Sequence, residues 1–165
     1  MEIHRQTCAC GQVKFEATGT PILAGVCYCD DCQAGGRMLE ALPDASAALE
    51  PDGGADYLTY RDDRYRCIQG DALLEGYQLN DKSPTTRYVA RCCNTPMYLK
   101  YKRGHWVSTF RRAYTGQTPA VNMRTNLKWR ESDLPFPDNA PRYRRFPMAL
   151  FGRLFGAKVA MLLGR

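Results

Sequence analysis

Two features of the sequence predict a mainly β domain that ends in a C-terminal amphipathic helix. Short apolar or alternating segments follow one another closely through residues 12–110, and Gly, Asp, Asn and Pro separate them, as is typical of strands joined by turns. In the tail, by contrast, apolar residues recur at helical spacing. With 165 residues, of which 44% are hydrophobic, the chain is long and apolar enough to bury a core.

Eight segments are predicted to form strands. The clearest alternation of polar and apolar residues is in residues 12–17, and the other segments combine β-branched, aromatic and apolar residues. Residues 41–56, rich in Ala, Pro, Gly and acids, are predicted to form a loop, and residues 117–141 contain four prolines and little periodicity. The predicted strands are residues 12–17, 22–26, 57–60, 65–68, 73–79, 86–90, 97–101 and 106–110.

The tail from Pro147 is predicted to form an amphipathic helix of roughly four turns. Pro147 is acceptable in a first turn, while Gly152 and Gly156 each weaken the helix by about 1 kcal/mol relative to Ala. Arg153 and Lys158 interrupt an apolar stretch already shorter than the ~20 residues that a bilayer core requires, so no spanning helix is expected. The residues predicted to share one apolar face are Met148, Phe151, Phe155, Val159 and Leu162.

The predicted division of the chain follows these patterns and the distribution of charge. Residues 1–112 are predicted to form the β domain, residues 113–145 an extended Pro-rich segment, and residues 146–165 the basic amphipathic helix. The net charge of +6 lies wholly after Asp138, where six basic residues and no acidic residue occur. Because the body is neutral, nucleic-acid binding is not predicted, and arguments from charge apply to the tail alone.

The cysteines of the first 32 residues indicate metal binding. Cys8 and Cys10 are separated by one residue, and Cys27, Cys29 and Cys32 form a second group. Two cysteines one residue apart do not easily form a disulfide, whereas both can bind one Zn²⁺. Since a structural zinc ion takes four ligands, five cysteines in two groups indicate two metal sites. A zinc ion with only three protein ligands keeps a position for water or substrate.

The chain resembles a known family over roughly residues 6–101. The motifs are Cys-x-Cys-Gly near the N-terminus, Cys-x-Cys-x-x-Cys further on, Gly70-Asp71 before a strand, and the late Cys93-Asn94-Thr95-Pro96. In these motifs the sequence resembles the glutathione-dependent formaldehyde-activating enzyme family, whose domain also occurs in centromere protein V. The resemblance implies a coil of small antiparallel sheets around two zinc ions, and a small thiol such as glutathione as the partner.

The resemblance implies different roles for the two zinc sites. For the structural site, the predicted ligands are Cys8, Cys10, Cys92 and Cys93. For the open, catalytic zinc site, the predicted ligands are Cys27, Cys29 and Cys32. A metal deprotonates a coordinating thiol, which gives a thiolate able to add to formaldehyde, or it polarises the aldehyde oxygen instead, and the sequence leaves both open.

The chain departs from the family pattern in two places. The late motif of the family is usually Phe-Cys-x-x-Cys-Gly-Thr, but Ala90 stands where the first cysteine belongs and Asn94 replaces the glycine. Cys92 can substitute only if the strand breaks into a turn, because neighbouring side chains of a strand point to opposite faces; otherwise it packs in the core while Cys93 alone binds the metal. In addition, Gln33-Ala34 replaces the common Arg-Lys, so a basic group suited to a substrate carboxylate is missing.

The remaining reactive residues have structural interpretations. Cys67, alone in a predicted strand, is expected to be a small buried residue. His4 and His105 are expected to be surface or packing residues rather than ligands. Asp30 and Asp31 are expected to cap the turn that follows the second cysteine group.

The resemblance therefore implies a zinc-dependent carbon–sulfur lyase acting on a glutathione–aldehyde adduct, similar to S-(hydroxymethyl)glutathione synthase, and the sequence predicts a cytoplasmic location. No apolar segment follows Met1 as in a secretory signal, and cysteines in a reducing compartment indicate ligands or reactive thiols. The alternative is a non-catalytic, zinc-stabilised module that binds a protein or a membrane surface through its tail. We expect the apolar face of the tail to dock on the β core or on a second subunit of a homo-oligomer, with an anionic lipid surface as the alternative.

Overall fold

The computed structural model describes residues 1–164 and confirms a mainly β fold with a C-terminal helix. Arg165, at the end of the predicted tail, lies outside the described residues. The strands are β1 (Ile3–Thr7), β2 (Lys14–Thr18), β3 (Leu23–Cys27), β4 (Ala55–Arg61), β5 (Tyr65–Gln69), β6 (Leu74–Tyr77), β7 (Thr85–Ala90), β8 (Thr95–Tyr101), β9 (Trp106–Phe110), β10 (Tyr114–Thr115) and β11 (Met123–Thr125). The α-helices are α1 (Asp30–Glu40) and α2 (Met148–Leu162).

The strands of residues 1–164 form two sheets. One has four strands in the order β10–β1–β2–β5, and the other has seven in the order β11–β3–β4–β9–β8–β7–β6. Neighbouring strands are antiparallel, except that β11 runs parallel to β3. The parallel pair places Thr125 opposite Cys27, so a distant part of the chain lies at the end of β3.

Gln6 connects the two sheets through buried hydrogen bonds. Its side-chain amide donates to the carbonyl oxygens of Met97 and Phe110 at 2.7 and 3.1 Å, and the Tyr65 hydroxyl donates to its side-chain oxygen at 2.5 Å. The strand β1 was not predicted, because its inward positions carry His4 and Gln6, which a polarity pattern assigns to the surface. A buried polar side chain is stable in such a place only when its hydrogen bonds are satisfied, as those of Gln6 are.

The eight predicted strands are confirmed, with ends that differ by up to two residues and, for residues 73–79, with a shorter strand. Helix α1 was not predicted because Gly35 and Gly36 lie at its centre, where glycine disfavours a helix. The packing requires both glycines. A Cβ at Gly35 would lie 2.0 Å from Arg87 Nε, and one at Gly36 would lie 2.3 Å from Leu49 Cδ2.

Helix α2 confirms the predicted C-terminal helix, with Pro147 as its N-cap. The expectation that the predicted apolar face docks on the β core is wrong. Leu150 is buried, and Leu150, Phe151 and Leu154 line a cavity beside the β core, whereas the rest of the predicted face points outward. The exposed fractions of the side chains of the predicted face are 81% for Met148, 51% for Phe151, 70% for Phe155, 37% for Val159 and 75% for Leu162. In residues 1–164 we find no helix with the length and apolar character needed to cross a bilayer.

Candidate metal centres and the adjoining cavity

Two hairpin turns bring the first cysteine cluster together. The turn between β1 and β2 carries Cys8 and Cys10, and the turn between β7 and β8 carries Cys92 and Cys93. These turns belong to different sheets, so a metal held by this four-cysteine cluster joins the four-stranded sheet to the seven-stranded sheet.

The chain breaks into a turn after Ala90, as the use of Cys92 as a ligand requires. Strand β7 ends at Ala90, the Cys93 amide donates to the Ala90 carbonyl at 3.1 Å, and Asn94 has φ +48°. Asn is one of the few residues other than glycine that tolerate this left-handed conformation, which explains why it can stand where the family has glycine. In this turn both cysteines face the same point, and Cys92 does not fill the core alone.

The sulfur positions in the four-cysteine cluster suit a tetrahedral metal ion. All four Sγ atoms lie within 4.8 Å of one another, and Cys8 Sγ lies 3.6 Å from Cys10 Sγ and 3.9 Å from Cys92 Sγ. Zinc–sulfur bonds of about 2.3 Å in a tetrahedron separate the sulfurs by about 3.8 Å. The observed separations and the all-thiol donor set therefore fit Zn²⁺.

Hydrogen bonds lower the pKa of one thiol of this cluster, Cys93, whereas burial raises the pKa of Cys8 and of Cys92. The amide of Ala9 donates to Thr95 Oγ1 at 3.0 Å, and Thr95 Oγ1 lies 3.1 Å from Cys93 Sγ, where its hydroxyl can donate to the sulfur. Although burial raises the pKa of Cys93, hydrogen bonds from Thr95 and from backbone amides lower it to about 6. The amide of Val13 likewise donates to Cys8 Sγ at 3.2 Å. Thiolates are the form that binds metal.

The second cluster contains three cysteines and lies at the start of α1. Cys27 ends β3, Cys29 is the N-cap residue of α1, and Cys32 lies in its first turn. The three Sγ atoms lie within 4.8 Å of one another, and those of Cys27 and Cys29 are 3.4 Å apart. In residues 1–164, no His, Asp, Glu or further Cys joins this three-cysteine cluster.

The surroundings of the three-cysteine cluster favour one thiolate, that of Cys27, while hydrogen bonds with Cys27 raise the pKa values of Cys29 and Cys32. Hydrogen bonds with Cys29 and Cys32 lower the pKa of Cys27 well below its ordinary value, and the Asn126 side-chain amide donates to Cys27 Sγ at 3.3 Å. The positive end of the α1 dipole also favours thiolates at this position. Sequence reasoning missed Asn126, because the parallel pairing of β11 with β3 alone brings it to Cys27 and leaves no local signal. Three thiolates with this spacing fit Zn²⁺ with one remaining position.

The other candidate residues lie outside both clusters. His4 is buried and lies 3.6 Å from Glu2, and His105 Nε2 lies 2.7 Å from the carbonyl oxygen of Leu154 in α2. Cys67 is half-buried rather than fully buried, because its strand β5 is the edge of the four-stranded sheet.

Asp30 and Asp31 occupy the first turn of α1, but the side chain at its N-cap makes no capping hydrogen bond. The predicted capping role is therefore wrong. A helix whose N-cap is Cys29 has no oxygen at the position from which a cap accepts, and the two carboxylates lie one and two residues too late. They still favour the helix through its dipole.

A cavity of about 680 Å³ adjoins the three-cysteine cluster. The sheet supplies apolar and aromatic walls, among them Leu23, Leu99 and Trp106, and the cluster forms part of the lining. The far wall comes from the tail, where the lining residues are Phe146, Leu150, Phe151 and Leu154. The four-cysteine cluster lines no part of this cavity, so the two clusters differ in access as well as in ligand number.

Two further residues of the cavity were not identified from the sequence. Arg87, on β7, lines the cavity with only 1% of its surface exposed, and its Nη2 donates to the Asp31 carbonyl at 2.7 Å. Tyr57, on β4, is buried beside the cluster, and burial followed by the nearby Cys32 thiol raises its pKa well above the ordinary value. Neither position has a sequence signal, because alternation along a strand indicates burial and not the identity of the neighbours.

Comparisons with known proteins extend the resemblance described above. The crystal structure of a Rhodobacter sphaeroides protein shares 20% sequence identity and a TM-score of 0.48 over 70% of this chain and 91% of that chain. No curated protein matches significantly. A family model described as glutathione-dependent formaldehyde-activating enzyme matches residues 3–128, which include both cysteine clusters and the strand β11. The chain therefore belongs to the glutathione-dependent formaldehyde-activating enzyme family.

Proposed function

We propose that the chain is a zinc-dependent carbon–sulfur lyase that forms and cleaves the adduct of glutathione with an aldehyde. The observation that carries the proposal is the difference between the two clusters. The first offers four thiols, which complete a structural zinc site, whereas the second offers three and lines a cavity large enough for a ligand. Family membership supports glutathione as the thiol.

The reaction joins one sulfur atom to one carbon atom. The sulfur electron pair of the glutathione thiolate attacks the aldehyde carbon, the carbon–oxygen π electrons move to oxygen, and the oxygen takes up one proton. Bound at the three-cysteine cluster, Zn²⁺ would supply Lewis acidity for a thiolate or for the aldehyde oxygen.

The residues of the chain hold and position the reactants. Cys27, Cys29 and Cys32 supply the thiolates that hold the metal, and Asn126 fixes the orientation of Cys27 through its hydrogen bond. Asp31 is the one carboxylate among the residues that line the cavity, and we assign to it the exchange of the proton with the product oxygen. The apolar walls exclude water, which would otherwise add to the aldehyde carbon in competition with the thiolate.

Exchange NMR tests this function directly. With the zinc-loaded protein, ¹³C-labelled formaldehyde and glutathione, we expect exchange between free formaldehyde and the adduct to be faster than in buffer. Cys29→Ser is expected to abolish this acceleration. Cys67→Ser is the matched control, because Cys67 is a thiol outside both clusters, and it should retain the full rate. A zinc-loaded wild-type protein that leaves the exchange rate unchanged would refute the lyase and favour the non-catalytic module.

The outward face of α2 supports a second function, which is binding to an anionic membrane surface. Phe155 and Leu162 are 70% and 75% exposed, and the described tail beside them carries basic residues and no acidic one after Asp138. An isologous contact between two copies of this helix would bring like charges together, whereas an anionic lipid surface attracts each basic residue by about 1 kcal/mol. We therefore assign the face to lipid rather than to a second subunit.

Vesicle sedimentation tests the membrane assignment. The full-length protein should sediment with vesicles that contain 30% phosphatidylserine, and binding should weaken as salt is added, because screening reduces the attraction. The double variant Phe155→Ser/Leu162→Ser should remain in the supernatant, while Ile68→Ser, an exposed apolar residue on another surface, should bind like the wild type.

Analytical ultracentrifugation of the same proteins tests whether a second copy of the chain, rather than lipid, covers the outward face of α2. A wild-type dimer that the double variant converts to a monomer would show that a second copy covers the face and would contradict the lipid assignment. Seven of the eight cysteines lie in two clusters that could hold metal ions, as expected in a reducing compartment, for which we propose the cytoplasm.

A further inference from the structure

The cavity beside the three-cysteine cluster is larger and more apolar than formaldehyde requires. Formaldehyde has two non-hydrogen atoms, while about 680 Å³ is the size of a typical site for a small organic molecule. The walls instead match an alkyl or aromatic chain that extends from the cluster toward α2.

Arg87 provides the polar feature of this cavity. Its guanidinium is almost fully buried, and its Nε and Nη1 atoms have no hydrogen-bond partner in the described structure. It is the only basic residue among those that line the cavity, and no described carboxylate forms an ion pair with it. A buried cation with free N–H donors is costly, so an anionic ligand oxygen that accepts from it would be strongly favoured.

The position of Arg87 places the anionic end of such a ligand near the reacting atoms. Its Nη2 donates to the carbonyl oxygen of Asp31, the residue before Cys32, so the guanidinium lies against the start of α1. Leu150 and Leu154 of α2 line another part of the same cavity, and they lie beyond residue 128, where the family match ends. This wall is therefore a feature of the chain outside the matched family domain.

We propose that the cavity binds an amphipathic monocarboxylate, with its carboxylate on Arg87 and its apolar chain against Leu150 and Leu154. This inference rests on the proposed function only in taking the three-cysteine cluster as the reacting end. The substrate class that follows is an aldehyde, or its thiol adduct, that carries one carboxylate near the reacting carbon and an apolar chain. Arg87 then supplies the basic group that Gln33-Ala34 does not provide.

Calorimetric titration with saturated fatty acids tests the proposal without turnover. For the zinc-loaded protein, affinity should rise from butanoate to decanoate by roughly threefold to fourfold per methylene group, as expected for burial of the chain. Decanoate should bind at least about tenfold more tightly than decan-1-ol, because a charge-assisted hydrogen bond is stronger than a neutral one. Affinities that do not depend on chain length would overturn the proposal.

Variants of the two parts of the site separate their contributions. Arg87→Gln should remove the preference for decanoate over decan-1-ol, and Arg87→Lys should restore part of it, because the charge returns without the planar fork. A carboxylate preference that persists in Arg87→Gln would show that the metal holds the carboxylate and would overturn the assignment to Arg87. Circular dichroism and zinc content of each variant verify that the fold and the cluster are intact.

The wall formed by α2 has its own matched pair of variants. Leu154→Ala should reduce the affinity for decanoate by about tenfold and leave that for butanoate unchanged, because only the longer chain reaches α2. Val159→Ala, on the outward face of the same helix, should change neither affinity. Equal effects of both substitutions, or none, would contradict the placement of the chain. Because these experiments measure binding and not turnover, they can confirm or contradict this proposal even if the protein is inactive on glutathione and formaldehyde.

Discussion

The seven clustered cysteines differ in how many sulfurs surround each of them. Cys10 is one of four thiols that complete a tetrahedral set between two sheets, whereas Cys29 is one of three at the N-terminus of a helix. A structural zinc ion contributes directly to the free energy of folding, and a zinc ion with an exchangeable position contributes less. The same chemical substitution should therefore have different consequences at the two positions.

Comparing Cys10→Ser with Cys29→Ser measures this difference. We expect Cys10→Ser to lower the melting temperature by about 10 °C or more, as the loss of a cross-link between sheets implies, and Cys29→Ser to lower it by less than about 5 °C. Differential scanning calorimetry of both variants, with Cys67→Ser as the control thiol, gives the comparison. Equal and severe destabilisation would indicate two structural sites.

Arg124 is the most extensively paired buried charge near the three-cysteine cluster. Its guanidinium contacts both carboxylate oxygens of Asp138 at 3.1 and 2.8 Å and donates to the Tyr28 hydroxyl at 2.5 Å. It also lies 3.8 Å from the buried Asp52. Because Arg124 is on β11 and Tyr28 follows β3, this network holds together the two strands that position Cys27 and Asn126.

Substitution of Arg124 by Met should destabilise the protein by about 3 kcal/mol, since it removes the cation paired with Asp138 and one of the two cations beside the buried carboxylate of Asp52, which keeps Arg130 at 3.6 Å. Urea denaturation at neutral pH measures the loss. Asp138→Asn should cost less, about 1 kcal/mol, because Asp138 is partly exposed. A loss below about 1 kcal/mol for Arg124→Met would show that the network does not stabilise the fold.

The pH dependence of stability gives a second measure of the same pair. The hydrogen bond and charge of Arg124 lower the pKa of Asp138 below its ordinary value. A pKa that is lower in the folded state stabilises the folded protein at pH values above the unfolded pKa of about 4. This contribution disappears as the pH falls through the folded pKa. Between pH 5 and pH 3, Asp138→Asn should therefore lose less stability than the wild type. Parallel stability curves would contradict the pairing.

Among the elements, α1 shows how tertiary packing overrides local propensity. Gly35 and Gly36 disfavour a helix, yet α1 forms because its first turn belongs to the three-cysteine cluster and its glycines allow close contact with Arg87 and Leu49. By contrast, α2 carries Gly152 and Gly156 where nothing lies within 4 Å of an added Cβ. Glycine therefore has a packing role in one helix only.

Gly35→Ala and Gly152→Ala should thus have effects of opposite sign. The first places a methyl group on the Arg87 guanidinium and should destabilise by about 1–3 kcal/mol, despite the better helix propensity of alanine. The second should stabilise α2 by up to about 1 kcal/mol, because propensity is the only change. Urea denaturation gives both values. A stabilising Gly35→Ala would show that the contact between α1 and Arg87 is looser than described.

The strands were predictable from the sequence because alternation and turn residues are local signals. In β9, for example, the observed bounds are those of the predicted segment, residues 106–110. The three-cysteine cluster was predictable because its ligand spacing is local as well, whereas the joining of Cys8 and Cys10 with Cys92 and Cys93 was predicted from the resemblance to the family. What escaped prediction depends on distant pairing. Asn126 reaches Cys27 through parallel strands, Arg87 reaches the cavity from β7, and the inward face of α2 was set by the sheet it meets and not by its own pattern.

For the whole molecule, metal content is the broadest test. Protein purified without chelator should contain about two zinc ions per chain by elemental analysis, one for each cluster. Stepwise removal by a chelator should release the ion of the three-cysteine cluster first, with the fold retained, and the ion of the four-cysteine cluster second, with loss of near-ultraviolet circular dichroism. A content below about half an equivalent after expression with added zinc would contradict both sites.

The division of the chain at residues 112 and 145 stays a prediction. Strands β10 and β11 pair with β1 and β3, so the segment 113–145 takes part in both sheets. The helix α2 is a better candidate for a separable unit, and a protein ending at residue 145 is expected to keep both zinc ions and to lose vesicle binding.

The order in which the ligands leave the ribosome follows from the placement of the two clusters. Cys27, Cys29 and Cys32 lie within six residues of one another, so this set is complete before the four-cysteine cluster. The four-cysteine cluster, in contrast, must wait for Cys92 and Cys93, which are made more than eighty residues after Cys8. The nascent chain therefore presents the three-cysteine cluster first, before Asn126, the later cavity walls and α2 have been synthesised to shield it.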